Sequence, residues 1–464
     1  MDNIHFIALG GAGEIGANCY YLNIDGTGIL LDAGQHPRKS GLESLPDFSF
    51  IENADIDYLI ISHAHQDHIA ALPFLVKRFP YVKIICTLPT KQIAFLTLHN
   101  AVSIVQEQLK DDEHLAAYDH EEVELLIRTI EVLKPGETME IRGYNHRGSE
   151  PVLLRFFDAG HILGSCSVLL EYKGNKTLYS GDINISRQRI LNGSALPRMK
   201  VNNLILESTN GSSNSMNLSS WKEESEKFAA AINRTVTGGG SVLIPVFALG
   251  KFQEICAEVI HLMNGGKIPV LPIYSGGLSE KITRLYDGNR YTSNFVNPDF
   301  EFRFYPREDL YRINNYEDLF RTPSIVLASS GMMLARTLSN TLGRFWLKKE
   351  KGAIFTVGYM DPESPGYIFA NAKRGDVIRL SEGGEEHRVE CEITKFRFSA
   401  HSTGSELLEV VNKTRPENII LVHGDGDSAG NLAAAIKSRL PDSKVYLPDI
   451  GREVLLNLNP ALDN

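Results

Sequence analysis

His63-Ala64-His65-Gln66-Asp67-His68 places three imidazoles and one carboxylate within six residues, directly after the apolar run Ile56 to Ser62. That run reads as a buried strand, and Ile69 to Val76 reads as the start of a helix, so the polar cluster sits on a strand-to-helix loop. In an extended loop His63 and His65 point the same way and can share one cation, while Asp67 and His68 turn toward a neighbouring position. Imidazole with carboxylate suits zinc, which makes no geometric demand of its own and lowers the pKa of bound water to about 7. The alternative is a solvated loop that merely happens to be histidine-rich. Beside an apolar strand, with no metal to pair the lone pairs, such a cluster is costly.

One loop does not supply enough ligands for two metals, and other strand ends offer more. Leu153 to Asp158 runs into Ala159-Gly160-His161, Lys176 to Ser180 into Gly181-Asp182, and Asn418 to Val422 into His423-Gly424. A single histidine after a strand is a weak signal, since it is more often a satisfied core or loop residue. Four such strand ends in one chain form a strong joint signal.

The order His-x-His-x-Asp-His, then Gly160-His161, then Ser180-Gly181-Asp182 resembles the metallo-β-lactamase fold of binuclear zinc hydrolases. Asp32, in Ile29 to Gly34, matches the early aspartate of that family, which supports the ligands from behind. Later motifs are similar to those of the β-CASP nucleases: Leu206-Glu207-Ser208-Thr209 to motif A, Phe398-Ser399-Ala400-His401 to motif B, and His423 to motif C. Ile244 to Glu254 and Ala328 to Met332 are further look-alikes between motifs A and B. The resemblance spans Gly10 to about Leu440. It is nearest in kind to stand-alone prokaryotic ribonucleases similar to the endonuclease subunit of the cleavage and polyadenylation machinery.

The resemblance implies an α/β chain: an αββα metallo-β-lactamase sandwich with an inserted α/β β-CASP domain. The expected divisions are 1–205 and 391–464 for the sandwich and 206–390 for the insertion. By the same resemblance His63, His65 and His161 hold one Zn2+, Asp67, His68 and His423 hold a second, and Asp182 bridges both. Two such ions roughly 3.5 to 4 Å apart activate a hydroxide and offset the charge of an in-line displacement, with Asp67 and Asp182 part of the catalytic set. His401 matches the general acid, and Glu207 orients its ring and raises its pKa. The alternatives for these two residues are a structural histidine beside a serine turn and a strand-end surface charge. A histidine at motif C resembles the RNA-directed members rather than the DNA-directed ones. The implied activity is hydrolysis of single-stranded RNA to 3′-hydroxyl and 5′-phosphate ends.

Some positions depart from the family pattern. Motif A continues Thr209-Asn210-Gly211, where an aromatic residue is more usual before the glycine, and motif B continues Ser402-Thr403 without the usual aspartate. Two other readings stay open: a DNA-directed nuclease of the same fold, and a catalytically weak nucleic-acid-binding or scaffold subunit of an RNA-processing complex. Loss of a zinc ligand would mark the scaffold, and none is lost. The other eight histidines, His36, His99, His146 and His387 among them, carry no spacing signal.

Gly11-Ala12-Gly13-Glu14-Ile15-Gly16 fits the dinucleotide fingerprint G-x-G-x-x-G, which requires a helix to open at the last glycine. Asn18 to Ile24 is instead aromatic and β-branched, then meets the turn Asp25-Gly26 and a further apolar run to Asp32. A hairpin of strands is predicted, its glycines letting the backbone pass close to the metal pocket.

With 464 residues, 43% of them hydrophobic, the chain can bury the cores of two domains. No stretch approaches a membrane span, the start Met1-Asp2-Asn3 lacks a basic, apolar leader, and five scattered cysteines without C-x-x-C fit a reducing cytoplasm. A net charge of −10 is in tension with nucleic-acid binding. Local clusters offset it: Arg187, Arg189, Arg198 and Lys200; Arg336, Arg344, Lys348, Lys349 and Lys351; and Lys395 with Arg397. Each is more often a solvated face, and one or two are expected to contact phosphate. Leu96 to Leu133 reads as largely helical, with Asp111, Asp112 and Glu113 exposed. Helices are predicted for Trp221 to Ile232 and Lys251 to Met263, and strands for Ser241 to Val246 and Ile268 to Tyr274, an alternation that suggests parallel pairing. The substrate is expected in the cleft between the domains. A homodimer, and a protein partner supplying RNA-binding surface, are further expectations.

Overall fold

In the computed structural model, which describes residues 3–108, 118–144, 150–358, 360–381 and 383–458, the N-terminal apolar segments form antiparallel strands Asn3–Gly10, Cys19–Ile24 and Thr27–Leu31. Asp25 and Gly26 turn the hairpin at φ of 46° and 84°, as a primed two-residue turn requires. Strand, not helix, follows Gly16, which excludes the dinucleotide loop. Asp111, Asp112, Glu113 and His146 lie outside the described residues.

The chain divides into two units, one of residues 1–186, 193–218 and 401–464, the other of 187–192 and 219–400. In the first unit the N-terminal hairpin belongs to a seven-stranded sheet ordered Glu453–Asn457, Asn3–Gly10, Cys19–Ile24, Thr27–Leu31, Tyr58–Ile60, Lys83–Cys86, Glu131–Val132. A second sheet is ordered Lys444–Tyr446, Asn418–Val422, Asn203–Glu207, Asn175–Tyr179, Cys166–Tyr172, Val152–Asp158, Thr138–Ile141. Their facing sides share one core, in which Phe6, Tyr20 and Ile60 pack with Phe156, Val168 and Ile420. Helices Leu72–Arg78, Leu88–Gln108 and His120–Thr129 cover the far face of the first sheet through Leu75, Leu98 and Leu126. Gly404–Thr414 and Gly426–Arg439 cover the second through Leu407 and Leu432. The layers are therefore αββα, as expected. Alternate residues of each sheet face the shared core and the helices, so most strands are buried on both sides.

The second unit is built on a six-stranded sheet, Glu308–Asp309, Ile273–Ser275, Ile325–Ala328, Val242–Pro245, Ala353–Val357, Glu392–Phe396, in which every pairing is parallel. Helices Trp221–Thr237 and Lys251–Asn264 match their predicted starts. The strand predicted from Ile268 begins only at Ile273, because Pro269 and Pro272 cannot donate to a ladder.

One expectation near the site is corrected in detail. The single helix from Ile69 to Val76 is two, Gln66–Ile69 and Leu72–Arg78. Pro73 has no N–H to continue the first, and the Ala71 N–H donates to the Ala33 carbonyl instead. The break leaves Asp67 and His68 on a single helical turn aimed by its own neighbours.

Candidate metal centre

The loop after Tyr58–Ile60 is laced to three other segments through its backbone. Asn18 N–H donates to the Asp67 carbonyl at 3.0 Å, Ala33 N–H to that of His68 at 2.8 Å, and the Cys166 N–H to that of Ser62 at 2.9 Å. Gly34 passes so close that a Cβ there would lie 1.6 Å from the Asp67 carbonyl oxygen. His161, Asp182 and His423 each leave the end of a strand of the second sheet. Gly160 and Gly181 precede the first two at φ of 70° and 55°, and His423 itself adopts 49°. His423 N–H donates to the Gly11 carbonyl at 2.8 Å, so the glycine loop does pass beside the pocket.

These bends bring all seven ligand candidates together. His63, His65, His161 and Asp182 form one set, Asp67, His68 and His423 a second, and Asp182, Glu207 and His401 a third, the donor atoms within each lying within 4.8 Å of one another. His65 Nδ1 is 3.1 Å from His63 Nε2 and 3.0 Å from His161 Nε2. The edge of a tetrahedron with zinc–nitrogen bonds of 2.0 to 2.1 Å is about 3.3 Å, close to that spacing. Asp182 Oδ2 lies 3.5 Å from both His63 and His161, while Oδ1 lies 3.2 Å from His423 Nδ1 and 3.4 Å from His68 Nε2. Oδ1 is buried and has no hydrogen-bond donor among the described residues. A buried carboxylate oxygen left so is costly unless a cation completes it, and the donor sets on both sides fit a divalent metal.

The electrostatics of the bare residues follow from burial and the crowding of charge. Burial, then the neighbouring His68, press His63 well below the usual imidazole range, toward the neutral form a metal takes. His68 goes the other way: burial opposes its charge, but Asp182, Asp67 and Asp32 outweigh it and raise it well above. Asp182 and Asp67 are held low against their own burial, Asp182 chiefly by His423 and Asp67 by His68.

Asp32 is fully buried behind this set. Its carboxylate accepts from Ser62 N–H at 2.6 Å and from Ser62 Oγ, Tyr179 OH and His68 Nδ1 at 2.7 Å each. By engaging Nδ1 it leaves His68 Nε2 facing Asp182. His401 Nδ1 lies 3.1 and 3.0 Å from the two oxygens of Glu207, and its Nε2 lies 4.0 Å from Asp182 Oδ2. Glu207 is buried and also accepts the Ile183 N–H at 2.8 Å. Burial works against the charged His401 ring, yet Glu207 and then Asp182 hold it up to about 9.

Three contributors were not legible beforehand. Thr209 Oγ1 sits 2.9 Å from His423 Nδ1, Asn18 Nδ2 is 3.1 Å from His68 Nε2, and Tyr179 anchors Asp32. The residues that depart from the motif pattern have structural uses. The Thr403 side chain accepts from Glu406 N–H to cap Gly404–Thr414, and Ser402 Oγ accepts the Ile185 N–H at 3.0 Å.

Comparison with known proteins matches three segments of the chain. Residues 12–209 match the metallo-beta-lactamase superfamily, 252–368 the Beta-Casp domain, and 386–448 the Zn-dependent metallo-hydrolase RNA specificity domain. Endoribonuclease YSH1 of Kluyveromyces lactis is 30% identical over 96% of this chain and 58% of its own length. Cleavage and polyadenylation specificity factor subunit 3 of Dictyostelium discoideum is 30% identical over 99% and 58%. The chain thus spans somewhat more than half the length of the curated relatives it matches. A crystal structure of a protein of unknown function from Enterococcus faecalis V583 shares the fold at a TM-score of 0.55 and 11% identity, covering 98% of this chain and all of that one.

Proposed function

We infer that this chain, which carries a metallo-beta-lactamase domain, a Beta-Casp domain and the RNA specificity domain of Zn-dependent metallo-hydrolases, is a zinc-dependent ribonuclease that cuts single-stranded RNA internally. The observation that carries the reading is the Asp182 carboxylate, with Oδ2 3.5 Å from His63 and His161 and Oδ1 3.2 Å from His423 and 3.4 Å from His68, and the Glu207–His401 pair on its flank. The names of the relatives support an endonuclease acting on RNA.

His63, His65, His161 and Asp182 would hold one zinc and Asp67, His68, His423 and Asp182 a second. Bound there, zinc supplies positive charge for the phosphate oxygens and water acidified toward neutrality. The residues supply the rest. Water gives up a proton to solvent and its oxygen bonds to phosphorus as the bond from phosphorus to the 3′-oxygen breaks, and His401 passes its Nε2 proton to that leaving oxygen, so the products are a 5′-phosphate and a 3′-hydroxyl. Glu207 keeps the proton-bearing ring turned inward. Asp32 and Thr209 fix the rings of His68 and His423.

Assembly with a protein that adds RNA-binding surface is part of the reading, supported by a relative named as a subunit of a cleavage and polyadenylation factor, and a homodimer is proposed beside it. The compartment proposed is the cytoplasm: all five cysteines are free and buried, and no helix among the described residues is long and apolar enough to cross a membrane. The test is cleavage of matched labelled RNA and DNA by zinc-loaded protein. Cutting of RNA alone, with 5′-phosphate product ends, is expected. Cutting of neither by protein that holds zinc would hand the lead to the scaffold reading, and preferential cutting of DNA would overturn the substrate.

A further inference from the structure

Three of the basic residues singled out in the sequence are held in ion pairs. Arg189 is paired with buried Glu258 at 2.6 Å, Lys349 with Glu317 at 2.5 Å and Lys200 with Glu417 at 3.8 Å. Lys395 and Arg397 make no ion pair among the described residues. Their exposure follows from strand alternation: Phe396 and Phe398 pack inward on Phe228, with ring centroids 5.1 and 5.4 Å away, so the residues beside them face out. Glu392–Phe396 is the edge strand of its sheet, with no strand beyond it.

What lies beyond it is a groove of about 590 Å³ closed on the other side by helix Trp221–Thr237. Lys227 and Arg234, seven residues apart on one helix face, look across it at Lys395 and Arg397. The walls are tied together twice. Arg397 N–H donates to Glu224 Oε2 at 2.8 Å, and Arg234 reaches Glu392 at 3.1 Å. Glu224 is the carboxylate among the lining residues and Glu392 pairs with Arg234, so the four cations exceed these two by two charges. Glu224 is further occupied by Lys227 at 2.8 Å and by Ser219. Partial burial, then the neighbouring Arg397 on the same wall, pull Lys395 below the ordinary lysine range, the mark of a cation in want of an anion. In a chain of net charge −10, an unmatched positive groove runs against the overall field. Phe396, the ring in its wall, is 2% exposed, so no aromatic face is offered for a base to stack on.

We propose that this groove binds the phosphates of single-stranded RNA, an assignment that rests on the ribonuclease reading and gives the substrate a second hold, on the segment that runs into His401. Arg397 brings a planar fork suited to two phosphate oxygens, and the two lysines bring point charges. Contacts of this kind hold any sequence, fixing the strand's position without reading its bases.

The test uses the full chain with Lys395→Gln and Arg397→Gln combined. Both side chains are exposed and the Arg397 N–H remains to hold Glu224, so the fold is retained, as an unchanged thermal transition will show. Binding of a fluorescein-labelled 20-nucleotide uridine RNA is followed by anisotropy across a salt series. Each phosphate contact contributes about 0.7 to the slope of log affinity against log salt for single strands, so the double variant should lose about 1.4 in slope, or ~25-fold in affinity at 0.1 M salt relative to 1 M. Lys227→Gln, on the helix wall, should lose about half that slope. Affinity and slope equal to the parent's, in a parent that binds and cuts RNA, would overturn the groove and leave the ribonuclease reading standing. A parent that neither binds nor cuts RNA overturns both. Poly-glutamate bound as tightly as RNA by the parent, and lost in the variant, would assign the groove to an acidic protein segment and overturn the RNA assignment.

Discussion

Replacing Asp32 by asparagine should loosen zinc without touching a single ligand. The Asp32 carboxylate is fully buried and accepts from four donors, Ser62 N–H and Oγ, Tyr179 OH and His68 Nδ1, all at 2.6 to 2.7 Å. Asparagine offers one oxygen and one amide nitrogen. Ser62 N–H cannot reverse its polarity, so the oxygen stays on that side and the amide faces His68 Nδ1. The imidazole must then accept at Nδ1 and carry its proton on Nε2, the atom turned toward Asp182. Loss of such a partner typically costs 10- to 100-fold in metal affinity, about 1.4 to 2.7 kcal/mol. Competition for zinc with a chromophoric chelator, on parent and variant side by side, measures it. Tyr179→Phe removes one of the four donors while His68 keeps its partner, so it should cost about 1 kcal/mol of stability and leave zinc affinity at the parent level. A competition curve for Asp32→Asn that superimposes on the parent's, with native near-UV circular dichroism, would refute the tautomer argument.

Other outcomes follow from individual contacts. His401→Ala should lower RNA cleavage by roughly 10² to 10⁴-fold while zinc content, read by mass spectrometry, is unchanged, because His401 donates a proton and holds no metal in this account; parallel loss of zinc would count against that role. Gly34→Ala sets a Cβ 1.6 Å from the Asp67 carbonyl oxygen, so the metal loop must shift, and a lowered thermal transition together with lost zinc is expected. Glu254, buried in the second unit, is raised by burial to about 7 although the Ile190 and Leu191 N–H groups donate to it. A raised carboxyl contributes stability that is full below its unfolded value near 4.5 and is lost as pH rises through 7. Glu254→Gln should therefore gain on the parent between pH 4.5 and about 7 and hold that gain above it, by an amount on the order of 3 kcal/mol at most, in paired thermal melts; a difference between the two that does not change with pH would contradict the assignment.

The ligands could be read from the sequence because each is a chemically distinctive residue at the end of an apolar strand, and the strand ends of the two packed sheets meet at one edge of the sandwich. His63, His161, Asp182 and His423 follow this rule. Asn18, Thr209 and Tyr179 do not, for an amide or hydroxyl beside a strand is common and its partner lies tens to hundreds of residues away. The αββα layering was legible from the same strand ends through the family they resemble, and the hairpin from Asp25-Gly26. The helix break was legible only in retrospect: Pro73 can sit in a first turn or end a helix, and the Ala33 carbonyl that receives Ala71 N–H decides which. Charge runs were the least legible. Arg189 and Lys395 look alike in sequence, and only the folded chain puts Glu258 beside one and another cation beside the other.

The central claim is that Asp182 joins two cation sites that act together on RNA. Zinc per chain and RNA cleavage should be measured on the same samples of parent, Asp182→Ala and His423→Ala. The account predicts two zinc ions in the parent, one retained by the His63, His65 and His161 set in His423→Ala, and cleavage abolished in both variants. A parent that cuts RNA with a single zinc, or an Asp182→Ala protein that cuts at the parent rate, would contradict it.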